Sequence, residues 1–205
     1  MKIFVTGIGT DVGKTIASSI ITESLQADYW KPIQAGDLDN SDSHKIERYI
    51  SNDKTVIHPN SYKLNTPASP HLAAEIDGIT ISIEKISAPE TENHLVIEGA
   101  GGLFVPLNNQ DTIVDLIQSD YKVVVVSRHY LGSINHTLLT IEALQNRKIA
   151  IAGIIFSGEK NDATESIILS KTGIKFIGRI EQEPYFDQNV IKDYADQFRE
   201  NLLSL

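Results

Sequence analysis

Apolar residues in this chain gather into short, nearly unbroken runs, separated by longer stretches in which they recur every three or four positions. The runs at Lys2–Thr6, Tyr29–Pro32, His94–Glu98, Lys122–Ser127, Ile149–Phe156 and Lys175–Gly178 predict β-strands. Val and Ile fill consecutive positions in them with little alternation, so both faces of such strands are expected to be buried. The segments at about Lys14–Leu25, Ile113–Ser119, Asn135–Gln145, Ala163–Lys171 and Gln188–Leu203 predict helices. In the last of these, Ile191, Tyr194, Phe198 and Leu202 share one face, the spacing of core packing. Strand–helix alternation implies the α/β class, with a parallel sheet covered by helices on both faces. A length of 205 residues suits a single domain.

Residues 34–89 break this rhythm. They hold polar turns at Gly36–Ser43, a short helix from Asp42 to Ile50 and the proline-rich Asn65–His71. The segment reads as an inserted loop-and-helix excursion over one sheet edge, above the candidate active site. No internal repeat interrupts the chain elsewhere.

Composition narrows the partners. Hydrophobic residues make up 41% and charged ones 22%, enough apolar material for a core. With 18 Lys plus Arg against 27 Asp plus Glu, the net charge is -9, a poor balance for gripping the phosphates of DNA or RNA. No cysteine is present, which removes disulfides, thiolate metal sites and a thiol nucleophile. The longest apolar runs, Val123–Val126 and Ile149–Phe156, fall short of the roughly 18 residues of a membrane span. Only Ile3–Val5 follows Lys2 at the start, too short for a secretory leader. A cytoplasmic protein without membrane or nucleic-acid partners is expected.

The strongest chemical signal is Thr6-Gly7-Ile8-Gly9-Thr10-Asp11-Val12-Gly13-Lys14-Thr15, set between a predicted strand and a predicted helix. In that setting backbone amides and a helix N-terminus cradle phosphates, Lys14 reaches the terminal ones and Thr15 ligates Mg²⁺. Gly7 lies one residue farther from Gly13 than the common phosphate loop has it, so this loop is one residue longer. Lys31 stands near the end of the second strand, where parallel sheets place ligands, as does Glu98 before Gly99-Ala100-Gly101-Gly102. A carboxylate there suits Mg²⁺, which takes a few hard oxygen ligands beside nucleotide phosphates. Asp42 reads equally as a metal ligand or a helix cap. Ser133-Ile134-Asn135 open a helix whose free amides suit a carboxylate, with ordinary capping by Ser133 as the alternative. His129 and His136 lack metal-ligand spacing.

Together, Thr6–Thr15, Lys31–Gly36, Asn40–Asp42, Ser69-Pro70-His71, Glu98–Gly102 with Pro106, and Leu131–His136 resemble the dethiobiotin synthase family, in that family's order. The resemblance implies a P-loop NTPase-like fold and an ATP-dependent cyclo-ligase of biotin biosynthesis. Such an enzyme converts 7,8-diaminononanoate and CO₂ to dethiobiotin, ADP and phosphate, through a carbamate and a carbamic-phosphoric anhydride. By the same resemblance Lys14, Lys31 and Thr10 are catalytic, and Thr15, Asp42 and Glu98 hold magnesium. ATP would be bound by Asp11, Val12, Gly13, Lys14, Thr15, Ile16, Asp42, Glu98, Gly99, Ala100, Gly101 and Ser157. Lys31 and Ala35 would line the diamine site. A homodimer is implied, with Ser133, Ile134 and Asn135 serving the substrate carboxylate of the neighbouring subunit. Three positions depart from the family pattern. Ala35 replaces a usual Ser or Thr, Ser157-Gly158 stands where Asn commonly reads the purine, and no proline directly follows Ile180. A relaxed base selectivity is therefore expected.

Two rival readings use the same loop. A partition- or septum-positioning-type switch ATPase usually carries an extra lysine near the loop's start, where this chain has Gly7-Ile8-Gly9. A small-molecule kinase would turn over without bicarbonate.

Overall fold

The computed structural model describes residues 1–205. In chain order its elements are β1 (Lys2–Gly7), α1 (Lys14–Leu25), β2 (Asp28–Trp30), β3 (Ile33–Ala35), α2 (Asp42–Tyr49), β4 (Ile57–His58), β5 (Tyr62–Leu64) and α3 (Pro70–Ile76). There follow β6 (Leu95–Gly102), β7 (Tyr121–Arg128), α4 (Ser133–Asn146), β8 (Ile151–Ser157), α5 (Asp162–Thr172), β9 (Phe176–Ile180) and α6 (Gln188–Leu203). Seven strands form one parallel sheet in the order β4-β2-β6-β1-β7-β8-β9. The architecture is an α/β parallel sheet covered on both faces, as the alternation of elements predicts, and of the P-loop NTPase-like kind that the resemblance implies.

Successive side chains of a strand point to opposite faces, and both faces here are dry. Ile3, Val5, Val96, Val124 and Ile155 pack against α1, α2 and α6, while Phe4, Ile97, Val123, Val125 and Phe156 pack toward α3, α4 and α5. That double burial is why the strands read as continuous Val/Ile runs. Helix α6 lies along α1: the Ser24 hydroxyl donates to the Ala195 carbonyl at 2.9 Å, and Arg199 donates to the Ser24 carbonyl at 3.1 Å.

The structure revises several predicted elements. Ile113–Ser119 is not an α-helix; only Ile113–Leu116 turn, as a 3₁₀ segment, and Ile117 is already extended. Three β-branched or bulky residues in a four-residue turn are too few to nucleate an α-helix. The strand predicted at Tyr29–Pro32 stops at Trp30, since proline lacks the N–H a central strand needs. Strand β6 instead runs past Glu98 to Gly102. Within residues 34–89, β4 joins the main sheet as its edge strand, and β5 pairs with β3 in a separate two-stranded parallel ribbon.

Parallel order brings the carboxyl ends of β1, β6, β7, β8 and β9 to one rim, where α/β sheets bind ligands.

Candidate active site

The phosphate loop joins β1 to α1 by two left-handed residues, Asp11 at φ 55° and Gly13 at φ 93°. Gly13 caps α1, and no side chain occupies the first-turn amides, which stay available to an anion. Gly7 is required by closeness: a Cβ there would meet Val12 Cγ2 at 2.5 Å. The loop wraps one wall of a cleft of about 880 Å³, to which Thr10, Asp11, Gly13, Lys14, Thr15 and Ile16 all contribute. Val12 is buried beneath it.

Lys14 folds back on its own loop, its ammonium donating to the Gly9 carbonyl at 2.8 Å. Burial lowers its pKa to about 8; Glu98 opposes this shift and the Lys31 ammonium adds to it. A bound polyphosphate favours the charged form, so binding takes up a proton near that pH. ADP affinity is expected to weaken as pH rises from about 7.5 to about 9.5, approaching about tenfold per unit at the top of the range. Calorimetry in buffers of unequal ionisation enthalpy reads both the affinity and the proton uptake. A pH-independent affinity would show that Lys14 does not meet the phosphates as an ammonium.

Across the cleft, Lys31 sits between two carboxylates. Its ammonium donates to Asp42 Oδ2 and, at 3.2 Å, to Glu98 Oε1. Burial disfavours the Lys31 charge, but Glu98 and Asp42 outweigh burial, and its pKa lies above the ordinary lysine value. Burial likewise works against the Asp42 carboxylate, and Lys31 overcomes it, holding Asp42 below the usual range. The Thr15 hydroxyl donates to Glu98 Oε1 at 2.9 Å, and the Tyr29 hydroxyl to Glu98 Oε2 at 2.9 Å. Burial, then the charges of Glu98 and Asp42, raise the Tyr29 pKa, so it remains a donor.

Asp42 is not the cap of α2. Ser41 caps it, accepting from the His44 amide, which leaves the Asp42 carboxylate free to face Lys31 and Lys45. Two carboxylates converge on one ammonium, and the Thr15 hydroxyl joins them through Glu98, so an oxygen set already stands around positive charge. That set fits a hard divalent cation that takes its remaining ligands from phosphates and water.

The remaining wall comes from residues 34–89. Gln34 and Ala35 of β3 face the cleft with Pro67, Ala68, Ser69 and Pro70. Gln34 accepts from the Asp42 amide at 3.3 Å, so the side chain next to Ala35 is already committed to the backbone at Asp42. Ala100, Gly101 and Ser157 line the cleft, whereas Gly99 packs on the Phe4 ring. The rim beyond Ser157 is built by Ile180, Glu181, Gln182, Glu183 and Phe186.

Ser133, Ile134 and Asn135 do not line this cleft. Gly132, not Ser133, caps α4, and the Ser133 amide is taken by the Tyr130 carbonyl at 2.9 Å. The Ile134 and Asn135 amides have no partner in the chain, beside a fully exposed Leu131.

Arg128, which lines the cleft, and Tyr29, buried beneath it with its hydroxyl on Glu98, are groups that the sequence reading passed over. Tyr29 gave only an indirect signal, its place two positions before Lys31, and its contact with Glu98 follows from the sheet order. Arg128 gave no comparable signal.

A family profile described as an AAA domain matches residues 1–190. The chain is 59% identical to the ATP-dependent dethiobiotin synthetase BioD of Christiangramia forsetii over 202 residues, 98% of each chain. It is 46% identical to the protein of the same name from Cytophaga hutchinsonii, again over 98% of each. Among solved structures, a plasmid partition protein from Borrelia burgdorferi bound to AMPPNP superposes with a TM-score of 0.58 over 99% of this chain and 96% of that one. At 13% identity that likeness concerns the fold alone. Full-length identity at these levels, with the phosphate loop and the Lys31 cluster in place, means that the chain belongs to the ATP-dependent dethiobiotin synthetase family.

Proposed function

We propose that the protein closes the ureido ring of dethiobiotin from 7,8-diaminononanoate, CO₂ and MgATP, releasing ADP and phosphate. The observation that carries this reading is the 59% identity to a dethiobiotin synthetase along the whole chain. In the proposed sequence one substrate amine attacks CO₂ and loses a proton to give a carbamate. A carbamate oxygen attacks the γ-phosphorus as ADP departs. The second amine then attacks the carbamoyl carbon, phosphate leaves with the carbamate oxygen, and the ring closes.

The demand on the protein is electrostatic, because carbamate and triphosphate are both anions. Two unit charges about 4 Å apart repel by about 4 kcal/mol at an effective dielectric of about 20. Lys14 would meet the β- and γ-phosphates from the loop, and Lys31, beside Glu98 and Asp42, the carbamate and the transferring phosphoryl group. Thr10 lines the same cleft. The amides at the start of α1 cradle the phosphates. Thr15, Asp42 and Glu98 would hold magnesium, which supplies charge neutralisation of the phosphates.

A second copy of the chain completes the site in this reading. The unpartnered Ile134 and Asn135 amides would receive the carboxylate of the diamine bound in the neighbouring subunit. The protein is read as cytoplasmic; no helix is long and apolar enough to cross a membrane.

Phosphate release with MgATP tests the reaction, measured with and without the diamine and bicarbonate, with mass spectrometry of the product. Release that needs both partners and yields dethiobiotin is expected. Release indifferent to bicarbonate would point to a kinase. Slow release indifferent to both would point to a switch ATPase.

A further inference from the structure

Four cations line the cleft, and three have plain occupations. Lys31 and Lys45 are paired with carboxylates, and Lys14 is the lysine of the phosphate loop itself. The fourth, Arg128, makes no ion pair. Its single bond in the chain runs from Nη1 to the backbone carbonyl of Asp11, at 3.0 Å.

Both ends of this contact are unusual. Asp11 is a non-glycine residue in the left-handed region, which glycine adopts freely and aspartate only occasionally. At the other end, Arg128 springs from a fastened backbone. It is the last residue of β7, in register with Ser157 of β8. The next residue, His129, donates its amide to the Ser157 carbonyl at 3.1 Å and stacks on Phe156. The His129 ring also meets Glu165 at 2.9 Å, and Glu165 is held by Arg179 Nε at 2.7 Å. The guanidinium is exposed while the strand end behind it is anchored on three sides.

We propose that Arg128 is a positioning residue for the phosphate loop, clamping the Asp11 carbonyl from β7 so that the next peptide N–H is aimed at the phosphates. Across a trans peptide the carbonyl and the following N–H point in opposite directions. Holding the Asp11 carbonyl therefore sets the direction of the Val12 amide, which has no partner in the chain. A loop one residue longer than usual has more freedom to lose, and the clamp removes part of it before the ligand arrives. The inference rests on reading Thr6–Thr15 as a polyphosphate site.

The test uses Arg128→Ala and Arg128→Lys in the full chain, titrated with ADP, inorganic pyrophosphate and adenosine. Arg128→Ala is expected to weaken ADP and pyrophosphate alike, by about 5–10-fold, and to leave adenosine binding unchanged. Arg128→Lys, which keeps a donor, recovers most of the loss. In steady state the KM for ATP rises while kcat and the KM for the diamine stay within about twofold. Without nucleotide, amide exchange across Gly7–Gly13 is faster in Arg128→Ala at an unchanged melting temperature. Unaltered pyrophosphate affinity in the folded alanine variant would overturn the clamp, as would a loss confined to adenosine. A wild-type protein that binds neither ADP nor pyrophosphate would instead overturn the phosphate-loop reading beneath it.

Discussion

Lys31→Met is expected to lower kcat by about 10²–10³-fold while changing ADP affinity far less, because its ammonium is held by Glu98 and Asp42 rather than by the phosphate loop. Methionine retains most of the aliphatic volume and removes the charge, so a lost rate reports electrostatics. The variant also leaves Asp42 and Glu98 facing each other without their shared cation, in a pocket where the Lys31 and Glu98 side chains are 7% and 1% exposed. Breaking a buried pair in this way costs on the order of 3–5 kcal/mol. A lower melting temperature, partly restored by magnesium, should accompany the loss of rate. Circular dichroism at the assay temperature separates the two effects, and Lys31→Arg adds a control that keeps the charge but widens the head group. Near-normal turnover in folded Lys31→Met would remove this residue from the mechanism.

Glu98→Gln should produce the second largest effect, about 10²-fold at low magnesium, with a requirement for the metal raised about tenfold or more. Three donors converge on this one carboxylate, from Thr15, Tyr29 and Lys31. Glutamine keeps an acceptor on one side only, and its NH₂ must face a donor on the other. The substitution therefore weakens a magnesium ligand and leaves Lys31 with one carboxylate instead of two. A titration of rate against magnesium at fixed ATP distinguishes the parts: a shifted midpoint marks the ligand role, a lowered plateau the disturbed lysine. An unchanged titration would assign the metal to another residue.

Much of this site was legible in the sequence because its pieces sit at element boundaries that the hydrophobic pattern marks. The turn from β1 into α1 shows as a strand ending in glycine and a helix opening on Gly-Lys-Thr, and Glu98 and Lys31 each close an apolar run. Tyr29 was hidden because a buried tyrosine looks like core until the sheet order sets β2 beside β6, bringing its hydroxyl to Glu98. Sheet order is a long-range property that no local window contains. Asp42 was ambiguous since Ser41 and Asp42 are both good cap residues, and only the direction of the chain entering α2 decides between them. The rim at Ile180–Glu183 was marked only by the resemblance, through the proline missing after Ile180, as its position depends on where β9 docks at the far edge.

The packing of α6 on α1 carries a consequence for how the protein is made. The helix behind the phosphate loop is synthesised about 160 positions before α6, the helix that completes the surface it buries against. Until then Ile20 and Ile21 lack the neighbours supplied by Ile191, Tyr194 and Phe198. Until α6 emerges, α1 can bury only the apolar surface that meets β1, α2 and β6, and the rest of that surface stays open to wrong partners.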